Sequence, residues 1–141
     1  MSENGSTSKD FHNYCNNKVP TLILIKTNKN RIFWRFTPLN WKNDGSYTYD
    51  VSNQTFIFSL NLMKKYDMIN KKKSAIKLNG INYGPNFGDH DFSLGKNLKE
   101  GETYANNYCN YLSNNNLELT GGKGDNEKFA TEEFEVYKVV F

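Results

Sequence analysis

Short apolar runs separated by polar turns predict a chain built mostly of β-strands. The clearest run, TLILIK at residues 21–26, is continuously apolar, which indicates a strand buried on both faces. The polar residues 28–30 form a turn into a second strand over residues 31–37, so the two strands are predicted to pair as a hairpin. A third strand is predicted over residues 54–60, where large apolar side chains recur with a period of two.

The remaining elements are shorter. Strands are predicted over residues 66–69, 74–78, 92–94 and 134–141. One short helix is predicted before the first strand, capped by Ser8, with Phe11, Tyr14 and Cys15 on one face.

This order of elements predicts a mainly β (α+β) domain. Several strands spaced by turn signals favour two antiparallel sheets packed as a β-sandwich, with a few short flanking helices. A chain of 141 residues suits one domain with a single core. The polar start predicts a flexible segment over residues 1–10, and residues 11–141 are expected to form the domain.

The charge balance excludes some function classes. The net charge is +3, and the sequence pI of about 8.7 is too mild for a dedicated nucleic-acid binder. The triple lysine at residues 71–73 is expected to be a solvated turn or edge. No apolar run is long enough to span a membrane, and residues 1–6 lack the apolar region of a secretory signal. We therefore expect a cytoplasmic protein, which a protein partner could hold at the periphery of an organelle membrane.

Two cysteines and two histidines are the candidates for chemistry. Cys15 and Cys109 are far apart in sequence, and a reducing compartment predicts two free thiols. Buried, they act as small hydrophobes; a redox role requires an exposed thiol with a lowered pKa. His12 with Cys15, joined by His90 and Cys109, would supply four zinc ligands. That set lacks a second closely spaced pair, so we favour a helix anchor.

Three further patterns are weak evidence for a catalytic, metal or phosphate site. Cys109 with His90 as base lies in no elbow or oxyanion-hole motif. Asp89 and Asp91 could bind calcium, but we favour a turn in which their side chains accept hydrogen bonds from nearby amides. The glycine-rich residues 121–124 lack the Gly-Lys-Ser/Thr ending of a phosphate loop. We therefore predict no catalytic residues, no metal and no cofactor.

A set of segments, taken in chain order, resembles the TLDc domain family. These segments are residues 10–12, 15–18, 20–26, 32–33, 36–41, 56–60, 83–88, 90–91 and 134–137. The sequence departs from the family where Trp34 and Arg35 replace a small glycine-containing step. The first strand of the family is expected to be absent or shortened, and residues 95–125 match weakly.

The resemblance implies a two-sheet β-sandwich with a few short helices. TLDc proteins are associated with protection against oxidative damage and with binding the vacuolar-type proton pump, whose assembly they influence. No agreed catalytic mechanism comes with the family. The resemblance therefore implies a protein partner, expected among vacuolar-type ATPase subunits, and no active-site residues.

The glycine-rich aromatic loop over residues 83–91 is the predicted partner-binding segment. The residues assigned to it are Tyr83, Gly84, Phe87, Gly88, His90 and Asp91. The competing interpretation is a turn that seats the edge of the sandwich.

Three functions remain open. The leading hypothesis is a non-catalytic protein-interaction domain. The first alternative is a weak redox-active or hydrolytic enzyme that uses Cys109 or Cys15. The second alternative is a carbohydrate-binding β-sandwich with Trp41 and nearby tyrosines as stacking platforms.

Overall fold

The computed structural model describes residues 7–68, 75–77, 80–88, 91–104 and 126–141, with the backbone alone at 104, 126 and 127. Within these ranges the chain forms one helix and ten strands. The helix α1 is Ser8–Cys15. The strands are β1 Thr21–Thr27, β2 Ile32–Thr37, β3 Tyr47–Thr48, β4 Phe56–Ser59, β5 Lys64–Asp67, β6 Ile76–Lys77, β7 Asn86–Phe87, β8 Phe92–Leu94, β9 Glu100–Tyr104 and β10 Asn126–Lys138.

All ten strands belong to one antiparallel sheet, in the order β3-β6-β7-β8-β9-β10-β1-β2-β4-β5. The mainly β prediction is confirmed, but the two predicted sheets are joined into one. The cause is the length of β10, which has 13 residues. Its first part pairs with β9 from Asn126 to Ala130, and its second part pairs with β1 from Thr131 to Lys138.

Aromatic contacts show that the sheet curls around a shared core. Phe33 on β2 and Phe92 on β8 lie with ring centroids 5.3 Å apart, although β1, β10 and β9 separate their strands in the sheet. Neighbouring strands are about 4.8 Å apart, so a flat sheet would hold these rings much farther from each other. Phe129 on β10 stacks on Phe92 at 5.4 Å and completes this cluster.

A buried arginine lies inside the same cluster. Arg35 is fully buried on β2, and its guanidinium carbon lies 3.4 Å from the ring centroid of Phe92. The ring centroids of Phe33 and Phe87 each lie 5.1 Å from the same guanidinium carbon. The pair that departs from the family pattern, Trp34 and Arg35, is therefore split between the two faces of the sheet, with Arg35 inside.

The predicted helix is confirmed, with a different cap and a rotated buried face. Thr7 is the N-cap residue, and its hydroxyl accepts from the Asp10 amide while the Asp10 carboxylate accepts from the Thr7 amide. Ser8 is instead buried. The predicted flexible segment over 1–10 thus overlaps the helix from Ser8 onward, and residues 1–6 lie outside the described residues.

Other predictions lie outside the described residues, namely those for residues 71–73 and 121–124. In the part of the chain that the structure describes, no helix combines the length and the apolar character needed to cross a membrane.

Candidate partner-binding face

The predicted loop is shaped by two glycines, one on each side of β7, that leave little room for a side chain. A Cβ on Gly84 would lie 2.4 Å from Cδ2 of Leu98. Gly88 has a positive φ of 66°, and a Cβ there would lie 2.3 Å from the Asp91 carboxylate. The amide of Gly84 donates to the Leu94 carbonyl at 3.0 Å. Both glycines therefore hold the loop closely against the sheet.

The predicted binding residues of this loop differ in exposure. Tyr83 is 53% exposed, whereas Phe87 and Asp91 are fully buried. His90 lies outside the described residues, so its place in the set stays a prediction. A partner that touches this loop would meet Tyr83 and the backbone that the buried side chains support.

Helix α1 is fastened to this loop by two side chains. The Ser8 hydroxyl donates to the Ile81 carbonyl at 2.6 Å. Nε2 of His12 lies 3.1 Å from the Tyr83 carbonyl oxygen, and Nδ1 lies 3.0 Å from the side-chain oxygen of Asn16. These contacts hold the loop that carries the half-exposed Tyr83 against the helix.

A groove of about 340 Å³ lies between α1 and the second part of β10. Its apolar lining is supplied by Phe11, Cys15, Leu98, Phe134 and Val136. Tyr14 from the helix and Tyr137 from the strand also line it, and they are 52% and 50% exposed. A tyrosine with an apolar ring and a polar tip is a common anchor at protein interfaces.

Charged side chains of both signs line the same groove. Asp10 and Lys18 come from the helix side, and Glu135 and Lys138 from the strand side. The Tyr137 hydroxyl donates to the Glu135 carboxylate, and this hydrogen bond is the main reason that the pKa of Tyr137 is raised. An apolar centre with a mixed polar rim is typical of protein-binding surfaces.

The environment of Cys15 opposes redox chemistry at this thiol. Cys15 is 4% exposed. Burial raises its pKa to about 12, an effect that the nearby charge of Lys18 only partly offsets. Nucleophilic cysteines need the opposite shift. Cys109, the other redox candidate, lies outside the described residues.

His12 and Cys15 are both buried, as expected of a helix anchor. The two His12 ring nitrogens already have protein partners, which leaves neither open to a metal. Among the described residues, no group of three or more histidine, cysteine or acidic side chains is placed to hold a metal ion.

Trp41 is part of the hydrophobic core. It is 1% exposed, its Nε1 donates to the Thr21 hydroxyl at 2.9 Å, and its ring packs edge-on against Phe11 and Phe87. A buried ring has no face to offer a sugar, so the prediction that Trp41 is a stacking platform is wrong.

A family model for the TLDc domain matches residues 1–140, essentially the whole chain. The chain belongs to the TLDc family. A search of curated proteins gives no match.

Sequence reasoning missed the groove of this TLDc domain. The helix spacing groups Tyr14 with Phe11 and Cys15 on one face, whereas the structure buries His12 beside Phe11 and Cys15 and exposes Tyr14. Alternation along the strand predicted over residues 134–141 puts Tyr137 on the face opposite Phe134. The one local signal was that same strand alternation, because it sets Tyr137 apart from the buried Phe134.

Proposed function

We propose that this TLDc domain is a non-catalytic protein-interaction domain of the cytoplasm, which binds the peripheral sector of the vacuolar-type proton pump and so contributes to resistance to oxidative damage. The family implies this role, and the chain's own surface offers a suitable place for it. The observation that carries the proposal is the groove between α1 and β10, where Tyr14 and Tyr137 flank an apolar floor.

The surface has the features of a binding site for a protein segment. Its floor is apolar, and its two tyrosines are each about half exposed, so their rings are available to a partner. Aromatic anchors of this kind supply most of the energy at many interfaces. Tyr83 lies outside this groove, but its backbone carbonyl contacts His12 of the helix, so we include the predicted loop as a neighbouring part of the proposed site.

A catalytic role has less support. The Cys15 thiol stays protonated at neutral pH because its pKa is raised to about 12. The enzyme hypothesis therefore depends on Cys109. Measuring the alkylation rate of Cys109 against pH decides this point, because a reactive thiol would titrate well below about 8.5.

The binding proposal is tested with matched tyrosine variants. Purified pump peripheral sector is titrated with the wild-type chain, with the groove variants Tyr14→Ala and Tyr137→Ala, and separately with Tyr83→Ala in the neighbouring loop. Loss of an interface tyrosine commonly weakens binding by about 2 kcal/mol, or roughly 30-fold. The control is Tyr49→Ala, because Tyr49 is 55% exposed but does not line the groove.

Two outcomes would contradict the proposal. One is the absence of binding to the pump sector together with unchanged vacuolar acidification after loss of the gene. The other is equal weakening by Tyr49→Ala and the groove variants, which would show that the groove has no special part in binding.

A further inference from the structure

The hairpin between β4 and β5 ends in exposed apolar side chains. We call the turn formed by residues 60–63 the hairpin tip. Leu60 is 38% exposed, Leu62 is 39% exposed and Met63 is 73% exposed. Because β5 is an edge strand of the sheet, the tip lies at a corner of the molecule. Turns more often carry polar residues, so this apolar group needs an explanation.

The polar residue of the tip bonds to the neighbouring turn. The Asn61 side-chain oxygen accepts from the Ile32 amide at 2.7 Å, and its side-chain nitrogen donates to the Asn30 carbonyl at 3.1 Å. These bonds fix the hairpin tip against the turn between β1 and β2. Asn61 stays exposed beside the apolar side chains of the tip.

Met63 adopts a backbone conformation that its side chain disfavours. Its φ is +49°, in the left-handed region where glycine and asparagine are preferred. A methionine here is both strained and largely exposed, so it contributes little to folding. An observed outlier of this kind is a reason to look for a function at the position.

Basic residues lie beside the tip along the chain. Lys64 and Lys65 follow it directly and are exposed at the start of β5, where their ammonium groups lie over aromatic rings, 5.0 and 4.8 Å from the ring centroids. The adjacent turn, to which Asn61 is bonded, carries Arg31 and also Lys29, whose ammonium donates to a backbone carbonyl of β10. The acidic group nearest in sequence is Asp67, which lies 2.8 Å from the Lys65 ammonium, and both partners are more than half exposed. An exposed pair of this kind is weak and does not cancel the local positive charge.

We propose that the hairpin tip docks on an anionic membrane surface. Leu62 and Met63 enter the boundary between headgroups and acyl chains, while Lys64 and Lys65 extend their ammonium groups to acidic lipid headgroups. A convex apolar tip with a basic collar fits a lipid surface, which needs no shape-matched groove. This contact is independent of the protein-binding groove and would hold the domain beside a membrane-bound partner.

Sedimentation with sucrose-loaded vesicles tests the proposal on the full chain. The vesicles contain phosphatidylcholine alone or with about a third phosphatidylserine, which gives the surface a negative potential. Wild-type protein should sediment with the anionic vesicles, and added salt should weaken this binding. Lys64→Gln together with Lys65→Gln should weaken it by roughly 30-fold, at about fivefold for each lysine.

The apolar contribution is measured with Met63→Asn, which should weaken binding roughly tenfold. Asparagine tolerates the positive φ, so this variant is expected to fold at least as well as the wild type, as its thermal melt will show. The control is Val51→Asn, because Val51 is 99% exposed and lies away from the tip in the turn after β3. It should bind like the wild type.

Three results would overturn the proposal. The first is no sedimentation of the wild type with anionic vesicles even at low salt. The second is binding that Met63→Asn leaves unchanged, and the third is equal weakening by Val51→Asn. If wild type ignores vesicles while Met63→Asn weakens binding to a purified protein, the tip is a protein contact and the lipid proposal fails.

Discussion

Replacing Asp50 by asparagine should destabilise the protein, because the Asp50 carboxylate organises the loop before β4. Oδ1 accepts from the amide and hydroxyl of Ser52 and from the amide of Asn53. Oδ2 accepts from the amide of Gln54 at 2.9 Å, and from the amide and hydroxyl of Thr55 at 2.6 and 2.7 Å. Asp50 is 6% exposed, so water replaces these bonds poorly.

The magnitude follows from the donors that lose an acceptor. Asparagine keeps one oxygen, but its NH₂ group faces the three donors that met the other oxygen. Thr55 is buried, and an unsatisfied buried donor costs about 1–3 kcal/mol. The free energy of unfolding should therefore fall by about 2–4 kcal/mol, which corresponds to a melting temperature lower by about 10 °C.

The pH dependence gives a second, independent check. Burial acts to raise the pKa of Asp50, but hydrogen bonds from Ser52, Thr55 and Gln54 together hold it below its usual value of 3.8. Above that pH the ionised Asp50 carboxylate contributes its full stabilisation to the folded wild type. As the pH falls below 3.8, Asp50 is protonated first in the unfolded chain, and its contribution to the free energy of unfolding is lost. The stability gap between wild type and Asp50→Asn should therefore narrow in acid.

Urea unfolding at neutral pH and at several acidic values measures both effects. Asp44→Asn is the matched control, because Asp44 accepts from the amide and hydroxyl of Ser46 through one oxygen, which asparagine retains. Its midpoint should stay at the wild-type value. A gap below about 0.5 kcal/mol for Asp50→Asn, or one that stays constant in acid, would refute the reasoning.

Three other predictions concern buried positions. Gly101→Ala should lower the free energy of unfolding by about 1–3 kcal/mol in urea titrations, because its Cβ would lie 2.4 Å from Cζ of Phe129. Iodoacetamide at pH 8 should leave Cys15 unmodified until urea unfolds the protein, as peptide mapping would show, because its pKa is about 12. Arg35→Lys should lower the melting temperature by about 6 °C or more, because an ammonium cannot stack flat on the Phe92 ring; an unchanged melt would refute this.

Local pattern is sufficient for the central strands. β1 is rich in β-branched residues, β2 and β4 combine β-branched and aromatic residues, and all three lie where the sequence predicts them. The sequence misses β9 and the first part of β10, because half of their residues are acidic, basic or glycine and the apolar ones follow no clear alternation. Pairing between these two strands, rather than propensity, makes them extended.

Which face of a strand points inward is harder to predict. On β2 the alternation sets Ile32, Trp34 and Phe36 against Phe33, Arg35 and Thr37, and hydrophobicity alone favours burying the first set. The structure buries the second set. The rings of Phe92 and Phe129, which come from distant parts of the chain, give Phe33 and Arg35 their environment. The same limit hid the groove, because it forms only when α1 packs against β10.

The shared strand β10 makes folding of the sheet a long-range event. It joins β9 to β1. Glu133 on β10 contacts Lys26 on β1, and these two residues are 107 positions apart in the chain. Closing so long a loop is slow, so the protein should fold in milliseconds to seconds rather than microseconds. Until β10 docks, β1 and β9 both present unpaired backbone groups, which are templates for pairing between chains. Chaperone demand and aggregation during synthesis should therefore depend on how soon this one strand reaches its place.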